Sequence, residues 1–229
     1  MSSYFFMKIF LDTADVSMIS PAYETGLLDG VTTNPSLILK SGRQLLNVIQ
    51  EIATEFKNLE SISAEVVADT SEEMLSQAQK FYTIAPAVTI KVPCTVEGLK
   101  TCKFLTDKGI QVNVTLVFSV AQAILASKAG ATFISPFVGR WMDNSIDGIE
   151  LIKNIRKAFD YSGTSTQILA ASLRDVRQVE QSALNGADVV TIPPVVFWAM
   201  YKNIMTEKGL DLFQKDWEEV LKSVNDEKV

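Results

Sequence analysis

The chain contains no histidine. That absence removes imidazole acid–base catalysis, Ser-His-Asp triads and ordinary His-ligated zinc sites together. Two cysteines, Cys94 and Cys102, are too few for a disulfide framework and lack zinc spacing. Both read as reduced structural thiols in or beside one helix. No apolar run approaches the ~20 residues of a membrane span. The start, Met1-Ser2-Ser3-Tyr4-Phe5-Phe6-Met7, has no cationic flank and too short an apolar stretch for a secretory leader. Basic residues are outnumbered, 21 against 27 acidic ones, for a net charge of −6, and no basic stripe suits a nucleic acid. The expectation is a cytoplasmic protein with neither a nucleic-acid nor a membrane partner, whose chemistry uses lysine, carboxylates, tyrosine, hydroxyls or backbone.

What is present is enough for a substantial core: 229 residues, 47% hydrophobic and 21% charged. Short β-type runs alternate with helical stretches from end to end. The strands are predicted at Lys8–Asp12, Gly30–Thr32, Ser61–Val67, Ala87–Lys91, Gln111–Thr115, Thr132–Ser135, Gln167–Ala171 and Asp188–Ile192. The helices are predicted near Val16–Gly26, Arg43–Phe56, Ser71–Thr83, Thr95–Lys108, Ser119–Ala129, Ile146–Tyr161, Arg174–Asn185 and Pro194–Thr206. Glu72 and Glu73 suit a first helical turn, Pro194 a helix start, and Gly109, Gly130 and Gly186 helix ends.

Strands alternating with helices of 10–15 residues indicate βαβ units and a parallel sheet. Eight units in one chain of this length fit an α/β fold of the (β/α)₈ (TIM) barrel type. An open doubly wound sheet is the alternative, but no G-x-G-x-x-G follows the first strand. Without a Pro- or Ser-rich linker the whole chain, 1–229, reads as one domain. The remaining segment Asp211–Val224, with Leu212, Phe213, Trp217, Val220 and Leu221, reads as an additional amphipathic C-terminal helix. It would cover the barrel or reach a neighbouring subunit.

Polar residues interrupt the strands at their C-terminal ends, where a barrel keeps its active site. Lys91 closes the run Ala87-Val88-Thr89-Ile90-Lys91. A lysine there is either a snorkelling side chain or a nucleophile, because an amine in a dry site tends toward its neutral form. Asp12 ends the first strand and Thr32-Thr33-Asn34-Pro35 follows the second. Glu65 sits among β-formers in the third. Asn113 and Thr115 lie two apart in the fifth, hence on one side. Ser135-Pro136-Phe137-Val138-Gly139-Arg140 leaves the sixth and Ala171-Ser172-Leu173-Arg174 the seventh. Singly, Asp12 and Asn34-Pro35 could be turn residues, and Arg140 and Arg174 solvated surface charges. Together, in a closed barrel, they converge on one cavity.

The set matches one chemistry. A lysine amine attacks a keto-sugar carbonyl, and the resulting iminium takes up the electrons of the breaking carbon–carbon bond. Asp12 and Glu65 are the available carboxylates for proton transfer. Asn34 and Asn113 can orient hydroxyls, and Arg140, Arg174 and Ser172 form a phosphate cradle. No cofactor is needed. Metal-dependent aldol chemistry is disfavoured because its usual imidazole ligands are missing.

Several long stretches also resemble a known family. Leu11-Asp12-Thr13, Gly30-Val31-Thr32-Thr33-Asn34-Pro35-Ser36, Ile90-Lys91-Val92-Pro93 with Thr95-x-Glu97-Gly98, Asn113-Val114-Thr115-Leu116-Val117-Phe118-Ser119 and Ser135-Pro136-Phe137-Val138-Gly139-Arg140 are similar to transaldolase motifs. The resemblance runs from Met7 to Trp217 and is strongest to the short branch, which also contains fructose-6-phosphate aldolases. It implies a (β/α)₈ barrel with Lys91 as Schiff-base nucleophile, Asp12 as the base in cleavage, and Glu65 with Thr115 managing a catalytic water. It implies sugar contacts from Thr32, Asn34, Asn113, Ser135 and Phe137, and phosphate contacts from Arg140, Ser172 and Arg174. Sugar phosphates would be the substrates, with assembly into a homo-oligomer, pentamer or decamer. Relatives similar to the aldolases tend to carry Gln at the Glu65 position and Tyr at the Phe137 position, so this chain has the transaldolase choice at both. An aldolase remains the alternative reading. The bulky Trp141 departs from the pattern, and Met1–Phe6 lies outside it, with Met7 as an alternative start.

Overall fold

The computed structural model describes residues 7–226. Met1–Phe6, read above as free of leader character, and residues 227–229 lie outside the described part. The chain divides into two compact units, one up to Phe197 and one from Trp198 onward.

The first unit is a closed barrel of eight parallel strands in chain order. They are β1 Lys8–Asp12, β2 Gly30–Thr32, β3 Ser61–Glu65, β4 Val88–Pro93, β5 Val112–Val117, β6 Phe133–Pro136, β7 Gln167–Ala170 and β8 Val189–Ile192. Closure comes from β1 pairing with β8, Lys8 opposite Val189. The connecting helices are α1 Val16–Glu24, α2 Pro35–Ser41, α3 Leu45–Glu55, α4 Ser71–Tyr82, α5 Val96–Thr106 and α6 Val120–Lys128. They continue as α7 Val138–Met142, α8 Gly148–Ser162, α9 Val176–Leu184 and α10 Pro194–Ala199. The second unit contains α11, Ile204–Asp226. Among the described residues no helix is long and apolar enough to cross a membrane.

The strands alternate two chemistries. One set of side chains, including Leu11, Val31, Ile62, Ile90, Val92, Val114, Ile134, Ile168 and Val190, is buried in the large core beneath the helices. The other set faces the barrel axis and divides into two arcs. Phe10, Phe133, Leu169 and Val189 make a small apolar cluster of their own. Thr32, Ser61, Ser63, Thr89, Lys91 and Asn113 are also buried but polar, and they come from the contiguous strands β2 to β5. The polar arc satisfies part of itself: the Ser61 and Thr89 hydroxyls are 2.7 Å apart, and Thr89 donates to Gln111 Oε1 at 3.2 Å. Gly30 is where the arcs meet. A Cβ there would stand 2.7 Å from the Phe10 ring, so the missing side chain lets phenylalanine fill that level of the barrel.

Strand-to-helix turns repeat one device. Thr70, Thr95, Ser119 and Asp175 each accept, through a side-chain oxygen, the backbone N–H three residues on, capping α4, α5, α6 and α9. The same chemistry makes α2, a helix where the sequence suggested only a turn. Asn34 accepts from Leu37 N at 3.0 Å, and Pro35 occupies the first helical position. The predicted helix Pro194–Thr206 is two helices: α10 stops at Ala199, and α11 starts at Ile204 rather than Asp211. Asn203 explains the early start, since its side chain accepts from Met205 N at 2.9 Å.

Candidate active site

The register of β3, β4 and β5 sets Glu65 opposite Lys91 and Lys91 opposite Asn113, a row across adjacent strands. Lys91 is 5% exposed. Its Nζ lies 3.0 Å from Glu65 Oε2 and donates to the Thr33 carbonyl at 3.1 Å. This is a buried amine with two acceptors, one able to receive a proton.

Asp12 ends β1 with Thr32 directly opposite on β2. Thr32 Oγ1 donates to Asp12 Oδ1 at 2.7 Å and lies 2.6 Å from Thr191 Oγ1. A hydroxyl has one proton, so Thr191 donates to Thr32 and the three form a directed chain ending on the carboxylate. Burial pushes the Asp12 carboxyl above its ordinary range, and Thr32, the Lys91 charge and Asn34 only partly oppose it. Asn34 caps α2 through Oδ1 and, lining the same cavity as Asp12, is among the groups that favour its ionised form.

Asn113 accepts from Ser135 Oγ at 2.7 Å, which fixes its amide orientation. Its Nδ2 is buried without a hydrogen-bond partner, as are Thr115 Oγ1 and Ser63 Oγ. Unpaired buried donors in native proteins call for a partner such as a ligand or a water.

Most of these groups surround one cavity of ≈ 390 Å³ at the C-terminal ends of the strands, within the size range of small-molecule sites. Asp12, Thr32, Asn34, Glu65, Lys91, Asn113, Ser135, Phe137, Arg140 and Ser172 all line it. Two of the predicted site residues do not. Thr115 is buried and absent from the lining: β5 carries an irregularity between Val114 and Val117, and Leu116, at φ 59°, lines the cavity. A leucine in the left-handed region is uncommon and strained. Arg174 is absent from the lining because its Nη2 is held 2.6 Å from Asp143 Oδ2.

The rim opposite α2 is built where β6 and β7 end. The Arg140 guanidinium lies over the Phe137 ring, 4.9 Å from its centroid. A Cβ on Gly139 would be 1.9 Å from the Ser172 carbonyl oxygen, so only glycine allows this approach. Ser172 itself has φ 60°. Sequence reasoning missed Lys40, Leu116 and Thr191 in the lining. Thr191 was findable, two residues from Val189 on an inward face. Lys40 follows Ser36 and Leu37 at helical spacing on α2. Leu116 had no signal, since strand alternation places it outward.

The assembled chemistry is a buried amine paired with a carboxylate, a second carboxylate disposed toward protonation, aligned amide donors and a cationic rim. The family model described as Transaldolase/Fructose-6-phosphate aldolase matches residues 9–224. A protein named "Probable transaldolase" from Chelativorans sp. is 54% identical over 211 residues, 92% of this chain and 96% of that protein. Another of that name, from Paracoccus denitrificans, is 53% identical over 211 residues, again 92% and 96%. Among solved structures, 3-hexulose-6-phosphate synthase from Salmonella typhimurium superposes with a TM-score of 0.61 at 19% identity, covering 82% of this chain and 89% of that one. That likeness concerns the barrel alone.

Proposed function

The chain belongs to the transaldolase and fructose-6-phosphate aldolase family, and from that premise we propose that it is a transaldolase. It would move a dihydroxyacetone unit from fructose 6-phosphate or sedoheptulose 7-phosphate to erythrose 4-phosphate or glyceraldehyde 3-phosphate. The observation that supports this most is the pairing of buried Lys91 with Glu65 at 3.0 Å, with Asp12 on the same cavity.

In this reading Lys91 passes a proton to Glu65 and attacks the donor's C2 carbonyl as a neutral amine. Glu65, through a water held against the otherwise unpaired Thr115 hydroxyl, protonates the carbinolamine oxygen, which leaves as water and gives the iminium. Asp12 takes the proton of the C4 hydroxyl. The C3–C4 bond breaks, its electrons pass to the iminium, and the shortened aldose leaves. The remaining enamine attacks the acceptor aldehyde, Asp12 returns the proton to the new hydroxyl, and hydrolysis frees Lys91. Asn34, Asn113 and Ser135 orient the sugar, with Thr32 acting through Asp12, while Arg140, Ser172 and Arg174 take the phosphate.

Phe137 favours transfer over simple cleavage. A tyrosine hydroxyl there could help to protonate the enamine, and phenylalanine has no proton to give. With fructose 6-phosphate alone, free dihydroxyacetone should form slowly, and turnover should appear on adding erythrose 4-phosphate. Phe137→Tyr should raise acceptor-free release by roughly an order of magnitude, less than the ~10²–10⁴-fold of a fully positioned proton donor because nothing else in the site is arranged for that hydroxyl. Fast acceptor-free release by the unmodified enzyme would instead identify a fructose-6-phosphate aldolase, and an inert Phe137→Tyr would remove this role for the ring.

We further propose a cytoplasmic homo-oligomer, pentamer or decamer, joined through α11. Its apolar residues Leu212, Phe213, Trp217, Val220 and Leu221 recur at helical spacing along one stripe. Truncation after Lys208 should lower the mass measured by light scattering, and an unchanged oligomer would assign the contacts elsewhere.

A further inference from the structure

We propose that Asp143 is a positioning residue that latches Arg174 outside the cavity until a phosphate dianion draws it in. The inference rests on the reading of the Arg140–Ser172 rim as a phosphate site. It explains why one of two arginines faces the cavity while the other, from the neighbouring strand end, does not.

Arg174 is restrained at both ends. Its backbone N–H donates to Gln178 Oε1 at 2.9 Å, and its Nη2 lies 2.6 Å from Asp143 Oδ2. Its Nε sits 3.1 Å from where a Cβ on Gly139 would stand, next to Arg140 in the chain. The guanidinium thus rests against the back of the rim, one residue from an arginine that does line the cavity. The glycine leaves room for it to swing, and the fixed backbone means that only side-chain torsions need change. Asp143 caps the end of α7 by its backbone, so its carboxylate is free to act on Arg174 alone.

The pair suits exchange because it is weak. Both side chains are about half exposed, 54% and 50%, and such a pair shifts an equilibrium by a factor of about five at most. A phosphate dianion brings about two charges and three acceptor oxygens, and it can hold Arg140 and Arg174 together. A monoanionic carboxylate offers Arg174 only what Asp143 already supplies. The latch therefore withholds the second arginine from carboxylated ligands and releases it to phosphorylated ones.

The test is calorimetric titration with inorganic phosphate at pH 7.5, which needs no turnover. Asp143→Asn should bind phosphate about two- to fivefold more tightly than the unmodified protein. The gain should vanish in Asp143→Asn/Arg174→Gln, and Asp143→Glu, which keeps the charge, should stay near the unmodified value. In the transfer assay, Asp143→Asn should lower KM for the phosphorylated donor and leave kcat unchanged. Unchanged or weaker phosphate binding in Asp143→Asn, or a gain that survives loss of Arg174, would overturn the latch. Loss of the transaldolase reading shows differently: no acceptor-dependent turnover in any variant, with the phosphate titrations still deciding the latch.

Discussion

Replacing Lys91 with alanine should lower acceptor-dependent transfer by at least ~10⁴-fold, the scale on which loss of a covalent nucleophile is measured. Borohydride added to the unmodified enzyme with fructose 6-phosphate should trap a dihydroxyacetone-sized mass shift on Lys91, and none in the variant. The size of the effect follows from the surroundings. The cavity lining contains one other lysine, Lys40 on α2, and it is exposed, without the partly buried carboxylate that pairs with Lys91. Even Lys91→Arg should be inactive, because guanidinium stays protonated and cannot become a nucleophile at physiological pH. A trapped adduct on Lys40, or retained turnover in Lys91→Ala, would sink the Schiff-base reading of this site.

Lys91→Ala should also fold, and its stability reports on the same pair. Removing the amine leaves the Glu65 carboxylate, 12% exposed in its side chain, without its counter-charge. A partly buried carboxylate stripped of its partner is costly, so the variant should melt lower than the unmodified enzyme. Circular dichroism run beside the assay separates a misfolded variant from one that has lost only its nucleophile.

The alternation of strand and helix was legible because turn-forming residues that cap helices stand between several of the β-type runs and the helices that follow. Thr70, Thr95 and Ser119 are turn formers and N-caps at once, so the boundaries at Ser71, Val96 and Val120 came within a residue. The polar strand ends were legible for a related reason: Asp12, Glu65, Lys91 and Asn113 are too costly inside an apolar strand unless something there uses them. What escaped were features set by three-dimensional contact. Leu116 departs from strand alternation only because β5 is irregular beside β6. Arg174 and Asp143 are 31 residues apart, and nothing local ties them together. The division of the barrel axis into a polar and an apolar arc depends on which strands are neighbours in a closed ring. Ser61 and Thr89 look like ordinary strand residues until the pairing of β3 with β4 brings their hydroxyls within hydrogen-bond distance.

Asp12→Asn should separate activity from stability. As the base in carbon–carbon cleavage, Asp12 is expected to contribute ~10²–10⁴-fold, so the variant should lose transfer in that range. The asparagine carbonyl can still accept from Thr32, which keeps the Thr191–Thr32 chain in place. Burial, the largest influence on this carboxyl, raises its pKa. Between the ordinary aspartate value and that raised value, the folded protein holds a proton that the unfolded chain has released. Stability therefore falls as pH climbs through this window, and above it the ionised Asp12 is a standing cost. The neutral amide removes that cost, so Asp12→Asn should melt higher than the unmodified enzyme at pH 7, and the gain should disappear in acid below the window. The acid limb of kcat/KM should likewise titrate above the ordinary aspartate range and be absent from the variant's residual activity. A variant that melts lower at pH 7 would mean that Thr32 and Lys91 outweigh burial at this carboxylate. One that retains full activity would move the cleavage base to Glu65.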